Sequence, residues 1–269
     1  MDKKKAAILA GAIAGTWTLA SLAALGIGME RGPLKCFHKV YMMAKPGNNT
    51  RYCLDGTAQI EHSPLAGLHG AFLGSSVTYG AKSLHESFAD FLCRRNGISY
   101  VKEAVNGTTL STRHKNSYIE RMEKNLSPDE QFDFFVCQLS TNDAARKVPL
   151  GEIAKGKDRA AFDTETVTGA IEYILSYVKD TWGCPVIFYT GPRFDSPAYE
   201  AMVERLRELK NKWDFEIVDL WDPKVSGLVT ESEYALYMSD PVHPTRAGYK
   251  IWWMPVFEKK LTEMFGEKK

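Results

Sequence analysis

The chain has 269 residues, and 44% of them are hydrophobic, which is enough for one sizeable core and a small additional segment. Its formal net charge of +1 argues against a nucleic-acid partner, because such proteins usually carry a basic face. The five cysteines are widely spaced with no CxxC pair, and the sequence contains neither a P-loop nor a GxGxxG motif, so we expect no disulfide scaffold, no metal site and no cofactor.

The first predicted element is an apolar segment near the N-terminus. After the basic start MDKKK, residues 6–29 carry no charge. A helix of this length, rising about 1.5 Å per residue, can cross a hydrocarbon core about 30 Å thick. A cleaved signal peptide is the alternative, with Ser21 and Ala23 before the cut, but the apolar run continues to Met29. We therefore predict that residues 1–30 are a membrane anchor with the rest of the chain on the extracytoplasmic side; cleavage would instead give a secreted protein.

Residues 31–68 are predicted to form a connector. They contain the turn-rich sequence KPGNNTR as well as Pro33 and Pro64, with no sustained periodicity. From residue 69 onward, apolar segments of strand length alternate with amphipathic segments of helix length, a pattern typical of βαβ units. We therefore expect one α/β domain with a parallel sheet over residues 69–269.

Within this domain the sequence predicts five strands and four main helices. The strands are expected over residues 70–73, 99–105, 132–139, 185–190 and 215–220. The third, FDFFVCQL, is largely apolar, as expected of a strand buried on both faces. Helices are predicted over residues 82–95, from a cap at Asp163 or Thr164, over residues 196–212 with Pro197 at the first position, and from a cap at Thr245 to residue 265.

Polar residues follow several of these strands. Ser75 and Ser76 follow the first strand, Asn106 and Gly107 the second, Asn142 and Asp143 the third, and Asp240 and His243 lie just before the last helix. Open parallel sheets bind ligands beyond the carboxyl ends of their strands, so we expect these side chains to share one edge.

The chemistry that this set permits is acyl transfer. A serine hydroxyl becomes a good nucleophile when a base takes its proton, and His243 is the best-placed histidine for that role. Asp240 could hold the imidazole in the required tautomer. The negative oxygen of the tetrahedral intermediate needs preorganised donors, and the backbone N–H groups of Ser76 and Gly107 with the Asn142 amide would supply three.

Four short blocks, FLGSSVTYG, VNGTTL, LSTND and DPVHP, occur in this order, and together the chain resembles the SGNH hydrolases, also called GDSL-type lipases or esterases. The resemblance covers residues 70–265 and implies a flavodoxin-like three-layer α/β/α fold. It implies Ser76 as the nucleophile, Gly107 and Asn142 as oxyanion donors with the Ser76 N–H, His243 as the base and Asp240 as the third member of the triad. The family's usual Asp before the nucleophile is replaced here by Ser75.

We therefore expect a serine esterase that acts on a small-molecule or glycan ester, with an acetyl or other short acyl group on a polar scaffold. The expectation of a short acyl group is based on residues 143–162, a segment rich in lysine and arginine that could form a wall of the site or point away from it. Arg193, after the fourth strand, is either a substrate contact or a solvated charge. A lipase or lysophospholipase, an acyltransferase and a non-catalytic binding module remain as alternatives, and the oligomeric state is open.

Overall fold

Five short strands form one parallel sheet in the order β2-β1-β3-β4-β5. The computed structural model describes residues 35–227 and 229–266. The strands are β1 His69–Gly74, β2 Ser99–Ala104, β3 Phe134–Gln138, β4 Val186–Tyr189 and β5 Glu216–Val218. This order is that of flavodoxin-like sheets, in which the direction of winding reverses beside the first strand. The predicted parallel sheet of five strands is confirmed.

Helices follow most of the strands and cover the sheet. They are α1 Lys35–Ala44, α2 Ser76–Tyr79, α3 Phe88–Asn96, α4 Tyr118–Asn125, α5 Thr141–Ala145, α6 Val167–Thr181, α7 Pro197–Leu209, α8 Pro223–Ser226, α9 Glu231–Tyr237 and α10 Met254–Phe265, the last preceded by π-helical turns over Gly248–Trp253.

Two hydrophobic clusters hold these helices on opposite faces of the sheet. Successive side chains of a strand point to opposite faces. Accordingly, Phe135 joins the cluster that contains α4, α6 and α7, whereas Phe134 and Val136 join the cluster that contains α3 and α10. All five residues of β3 are buried, as predicted for this strand. The chain therefore forms three layers, with the sheet between two layers of helices.

Two predicted helix starts are correct. The Ser196 hydroxyl accepts a hydrogen bond from the Tyr199 N–H over 3.3 Å, and Pro197 is the first residue of α7. The Thr245 hydroxyl accepts from the Gly248 N–H over 3.3 Å, so it caps the C-terminal helix as expected. In both cases a side-chain oxygen satisfies a backbone donor that has no partner within the helix.

Two other predicted starts are wrong. The helix expected over residues 82–95 begins only at Phe88, because Leu84 and His85 adopt left-handed backbone angles (φ 57° and 72°) and Ser87 forms a capping box with Asp90. The helix expected to be capped at Asp163 or Thr164 is capped instead by Thr166, whose hydroxyl accepts from the Gly169 N–H over 3.1 Å.

The segment expected to be a connector contacts the sheet domain. After α1 it forms three short 3-10 turns, Pro46–Asn48, Thr50–Tyr52 and Leu54–Gly56. The buried Asn48 amide donates to the carbonyl of Lys82 over 2.9 Å, and its oxygen accepts from the Arg246 N–H over 3.0 Å. The anchor predicted over residues 6–29 lies outside the described residues. Among residues 35–227 and 229–266, no helix combines the length and apolarity that crossing a bilayer requires.

Candidate active site

The sequence brings Ser76, His243 and Asp240 together in one hydrogen-bonded chain. Ser76 is the first residue of α2, directly after β1 and the buried Ser75. Its Oγ lies 2.8 Å from Nε2 of His243. On the other side of the ring, Nδ1 lies 2.8 and 2.9 Å from the two carboxylate oxygens of Asp240. This is the arrangement in which an imidazole can take a proton from a serine hydroxyl.

The turn that carries Asp240 and His243 is held by its own backbone. Asp240 Oδ1 accepts from the N–H groups of Val242 and His243, each over 2.9 Å, and the Ser239 N–H donates to the His243 carbonyl over 2.8 Å. Burial of the Asp240 carboxyl opposes ionisation, but the hydrogen bonds and charge of His243, together with these backbone donors, outweigh it and lower the pKa of Asp240 to about 2. The carboxylate therefore stays charged beside the imidazole.

The candidate oxyanion donors lie beside the hydrogen-bonded Ser76–His243–Asp240 triad. Gly107 has a φ of +75°, a left-handed conformation that glycine adopts without strain. The Asn142 side-chain amide donates to the Ser75 hydroxyl over 3.2 Å and to the Thr108 carbonyl over 2.9 Å, so it lies between the serine turn and the Gly107 loop. The Ser76 N–H, at the first position of a helix, has no acceptor within that helix.

Gln138, at the end of β3, holds the turn formed by Ser75 and Ser76 in place. This role was not predicted from the sequence. Its buried Oε1 accepts from the Ser75 N–H and from the Thr78 hydroxyl, each over 2.9 Å. Gly74 is needed here because a Cβ at that position would lie 1.8 Å from Thr78 Oγ1. A single polar residue at the end of the otherwise apolar strand β3 was the signal that could have revealed this role.

Asp143 connects the Asn142 helix to the loop that follows β2. It is fully buried, and its carboxylate accepts from the N–H of Leu110 over 2.8 Å and of Ser111 over 3.2 Å. Burial raises the pKa of Asp143, while these hydrogen bonds oppose the rise. Asp143 thus links the helix that carries Asn142 to the loop that carries Gly107.

The charged segment over residues 143–162 leaves the candidate site. Lys157 Nζ lies 5.0 Å from the ring centre of Trp213, and Arg159 pairs with Asp180 over 3.2 Å, both toward the amino ends of β4 and β5. Arg146, by contrast, contacts the site, since its Nη2 donates to the Gly107 carbonyl over 2.8 Å. Lys157 and Arg159 therefore lie away from the active edge, because Trp213 and Asp180 hold the distal part of the segment elsewhere.

Arg193 lies after β4, at the same edge as Ser76. Its guanidinium pairs with Glu200 over 3.1 Å and stacks over the ring of Trp221 at 5.7 Å, and its side chain is largely exposed. The structure thus places it on the surface near the candidate site, held by neighbours on and beside α7. A role in substrate contact remains a prediction.

A small apolar cavity adjoins the candidate site. Its volume is ≈ 10 Å³, and its lining includes Val77, Thr141, Phe194 and Val242. Three of these residues are sequence neighbours of Ser76, Asn142 and His243. A cavity of about 10–15 Å³ holds roughly one water molecule, so this space suits a small group.

The described residues contain no metal-binding cluster. Within that part of the chain, no group of three or more His, Cys, Asp or Glu side chains is arranged to hold a metal ion. Cys53, Cys93, Cys137 and Cys184 are free thiols, and Cys137 is buried in β3 as a small apolar residue.

Several solved structures resemble this chain in fold. A protein from Lactobacillus plantarum is 19% identical with a TM-score of 0.58, covering 76% of this chain and 99% of its own. A protein described as a GDSL-like lipase from Bacteroides ovatus is 18% identical with a TM-score of 0.53, covering 75% and 99%. A carbohydrate esterase family 2 enzyme with a carbohydrate binding domain, from Corynascus thermopiles, is 14% identical with a TM-score of 0.51, covering 77% and 69%. At these identities the likeness concerns the fold.

Sequence comparison adds the family. No curated protein matches this chain at a significant level. The profile of the GDSL-like Lipase/Acylhydrolase family matches residues 72–251, which include all the proposed triad and oxyanion residues. This match spans more than half of the sequence and coincides with the parallel sheet and the Ser76–His243–Asp240 chain. The protein therefore belongs to the GDSL-like lipase/acylhydrolase family, the SGNH hydrolases.

Proposed function

We propose that the protein is a carboxylic ester hydrolase that works through an acyl-enzyme on Ser76. The observation that carries this proposal is the continuous hydrogen-bonded chain from Ser76 Oγ through the two ring nitrogens of His243 to the carboxylate of Asp240. A serine at this position has both a base within reach and a group that fixes the base in orientation.

In the first half-reaction, Ser76 Oγ attacks the ester carbonyl carbon while His243 Nε2 takes the hydroxyl proton. The tetrahedral intermediate collapses, the bond to the alcohol oxygen breaks, and Nε2 returns the proton to that oxygen. In the second half, Nε2 takes a proton from water, the resulting hydroxide attacks the acyl carbon, and the proton passes to Ser76 Oγ as the carboxylic acid leaves. Asp240, ionised at neutral pH, stabilises the imidazolium in both halves.

The oxyanion is stabilised by the N–H groups of Ser76 and Gly107 and by the Asn142 amide. Without a substrate, the two amide hydrogens of Asn142 face Ser75 Oγ and the Thr108 carbonyl. The hydrogen bond to the Ser75 hydroxyl is the longer of the two. The negative oxygen of the tetrahedral intermediate replaces or shares this bond, because hydrogen bonds to charged acceptors are stronger. Each such donor contributes roughly 2.7–4 kcal/mol to transition-state stabilisation.

The substrate is an ester with a short acyl group, most simply acetate on a carbohydrate or another polar alcohol. The ≈ 10 Å³ cavity lined by Val77, Thr141 and Val242, the sequence neighbours of Ser76, Asn142 and His243, supports this choice, since it has room for a methyl-sized group. Arg146 and Arg193 supply donors near the site for a hydroxyl-rich or anionic alcohol. A similar fold in a carbohydrate esterase adds support from analogy.

The protein acts at a membrane, held by residues 6–29, with its catalytic domain on the extracytoplasmic side. The uncharged run after the basic start supports this location. Removal of the segment by a signal peptidase would leave the same catalytic domain as a secreted enzyme.

A series of p-nitrophenyl esters from acetate to palmitate, together with acetylated glycans, tests the function. We expect kcat/KM to be highest for acetate and to fall as the chain lengthens, with acetate released from at least one acetylated glycan. A value that climbs steeply toward palmitate would point to a lipase or lysophospholipase instead. Product analysis with added sugar acceptors separates hydrolysis from acyl transfer, and a folded protein without turnover would indicate a binding module.

A further inference from the structure

A buried arginine, Arg121 of α4, lies behind the candidate oxyanion hole. Only 2% of its surface is exposed. Its Nη2 donates to the Gly74 carbonyl over 2.8 Å and to the Thr108 hydroxyl over 3.1 Å. Gly74 precedes the Ser75–Ser76 turn, and Thr108 follows Gly107. One nitrogen therefore joins the chain segments that carry two of the proposed oxyanion donors.

The remaining N–H groups of this guanidinium are also bonded. Nη1 donates to the carbonyl and to Oε1 of Glu103, over 3.1 and 2.7 Å, and Nε donates to the Asn116 carbonyl over 3.3 Å. All five N–H donors of the Arg121 guanidinium thus have an acceptor. A lysine, which has three donors on one nitrogen, cannot form the same set of hydrogen bonds. Because Glu103 neutralises the charge of Arg121, the effect of this residue on the site is mainly one of position.

The hydrogen bonds of Arg121 also connect, through Thr108, to the third proposed oxyanion donor, the Asn142 amide. The Thr108 carbonyl accepts from the Asn142 amide over 2.9 Å, and the Thr108 hydroxyl, besides accepting from Arg121, donates to the Val105 carbonyl over 2.8 Å. A hydrogen-bonded path therefore runs from Gly74 through Arg121 and Thr108 to Asn142.

We propose that Arg121 is a positioning residue that fixes the Ser76 turn, the Gly107 loop and the Asn142 amide relative to one another, so that their donors converge on one oxygen. The proposal rests on the proposed esterase function. Transition-state stabilisation by preorganised donors depends on their geometry, and a displacement of about 1 Å can cost roughly 10²-fold in rate. Loosening Arg121 should therefore lower kcat and leave ground-state binding of the substrate largely unchanged.

Arg205 of α7 provides a matched control. It also donates to a glycine carbonyl and to a threonine hydroxyl, those of Gly151 and Thr168, and it pairs with a glutamate, Glu208. None of these partners belongs to the candidate site. A structural arginine with the same kinds of partner, though less buried, can thus be altered without touching the oxyanion donors.

The test compares R121K with R205K by thermal unfolding and by kcat and KM for p-nitrophenyl acetate. We expect R121K to lose roughly 10- to 100-fold in kcat with KM within about threefold of the wild type. R205K should keep kcat within about twofold, whatever its loss in Tm. A folded R121K with kcat within about twofold of the wild type would overturn the proposal, as would equal losses in both variants.

A second pair covers the case in which R121K does not fold. T108V removes the hydroxyl that links Arg121 to the Gly107 loop, and T168V removes the equivalent hydroxyl beside Arg205. We expect T108V to lower kcat by at least about fivefold more than T168V at unchanged KM. Equal kcat values in these two variants would overturn the positioning role. Wild-type protein that neither hydrolyses esters nor reacts with a fluorophosphonate would overturn the esterase proposal itself. An active wild type with an unaffected R121K would instead overturn only the positioning role of Arg121.

Discussion

The side-chain amide of Asn142 donates a hydrogen bond to the hydroxyl of Ser75, with 3.2 Å between Nδ2 and Oγ. Ser75 stands where SGNH hydrolases usually carry an aspartate, one residue before the proposed nucleophile. Its own hydroxyl lies 3.3 Å from Gln138 Oε1, to which it donates. Ser75 is therefore placed to orient the proposed oxyanion donor Asn142, and Ser76 remains the proposed nucleophile.

This contact predicts an order of severity for two variants. Asn142→Ala removes a donor to the oxyanion and should lower kcat by roughly 10²–10³-fold. Ser75→Ala removes only a group that orients the donor, so its loss in kcat should be clearly smaller. Steady-state kinetics on p-nitrophenyl acetate measures both. If Ser75→Ala is as impaired as Asn142→Ala while its Tm is unchanged, Ser75 does more than orient the amide.

The lowered pKa of Asp240 predicts a pH dependence of stability. The pKa falls from the ordinary 3.8 to about 2 in the folded protein, so ionisation of Asp240 favours the folded state. This contribution is fully present above the ordinary pKa and is lost as pH falls through about 4 toward 2. Urea unfolding of the wild type and of Asp240→Asn should give a difference in unfolding free energy that shrinks as the pH falls from about 4 toward 2. A difference that grows on acidification would contradict this assignment.

The small cavity predicts a variant with altered acyl preference. Phe194 lines the cavity and packs against Tyr199 and Trp221 at 5.2 and 5.5 Å between ring centres. Phe194→Ala should enlarge the space and raise kcat/KM for butyrate relative to acetate by roughly tenfold, the usual effect of a methylene in an apolar pocket. Phe162→Ala, beside Trp213 and away from the cavity, is the control. An unchanged ratio in Phe194→Ala would mean that the acyl group binds elsewhere.

Two deletions test the organisation of the N-terminal region. A protein lacking residues 1–30 should be soluble and active, since the proposed site residues and the core lie beyond them. Deletion of residues 1–68 should impair folding, because it removes Asn48, which bonds to the backbone of Lys82 and Arg246, and the buried Leu65. Full-length protein should sediment with membranes and resist a high-salt wash. A mature N-terminus near Ala24 would instead identify a cleaved signal.

The sheet and the candidate site could be predicted because both depend on simple rules. Apolar segments of strand length mark the strands, and the carboxyl ends of parallel strands share one edge, so Ser76 and Asn142 were expected at the same edge; the pairing of β1 with β3 brings them close. By contrast, adjacent serines have the same local pattern. The resemblance to the SGNH hydrolases favours Ser76, and the tertiary contacts agree, since Ser75 is buried against Gln138 and Ser76 faces His243.

Other features depend on contacts between residues distant in sequence. The spacing of Leu84, Phe88 and Phe91 fits a helix, yet the left-handed turn at Leu84 and His85 delays its start. The direction of the charged segment after Asn142 is decided by partners such as Trp213 and Asp180, which a charge pattern cannot reveal. The bond from Arg121 to the Gly74 carbonyl likewise has no local signal.

The proposed triad predicts non-additive losses. Ser76→Ala and His243→Ala should each reduce kcat by at least about 10⁴-fold, and the double variant should be little worse than either, because the residues act as one unit. Asp240→Asn should be comparable or less severe, since it misorients the base without removing it. Losses that multiply in the double variant would show that Ser76 and His243 act independently.

Covalent labelling of the intact protein with a fluorophosphonate, read by mass spectrometry of the whole chain and of its peptides, tests the acyl-enzyme mechanism most directly. Such reagents phosphonylate a serine whose hydroxyl is activated by a neighbouring base. We predict one label per chain, located on Ser76, with none on Ser76→Ala and a strongly slowed reaction in His243→Ala. Well-folded wild-type protein that takes up no label, or a Ser76→Ala variant that still hydrolyses esters at the wild-type rate, would contradict the mechanism.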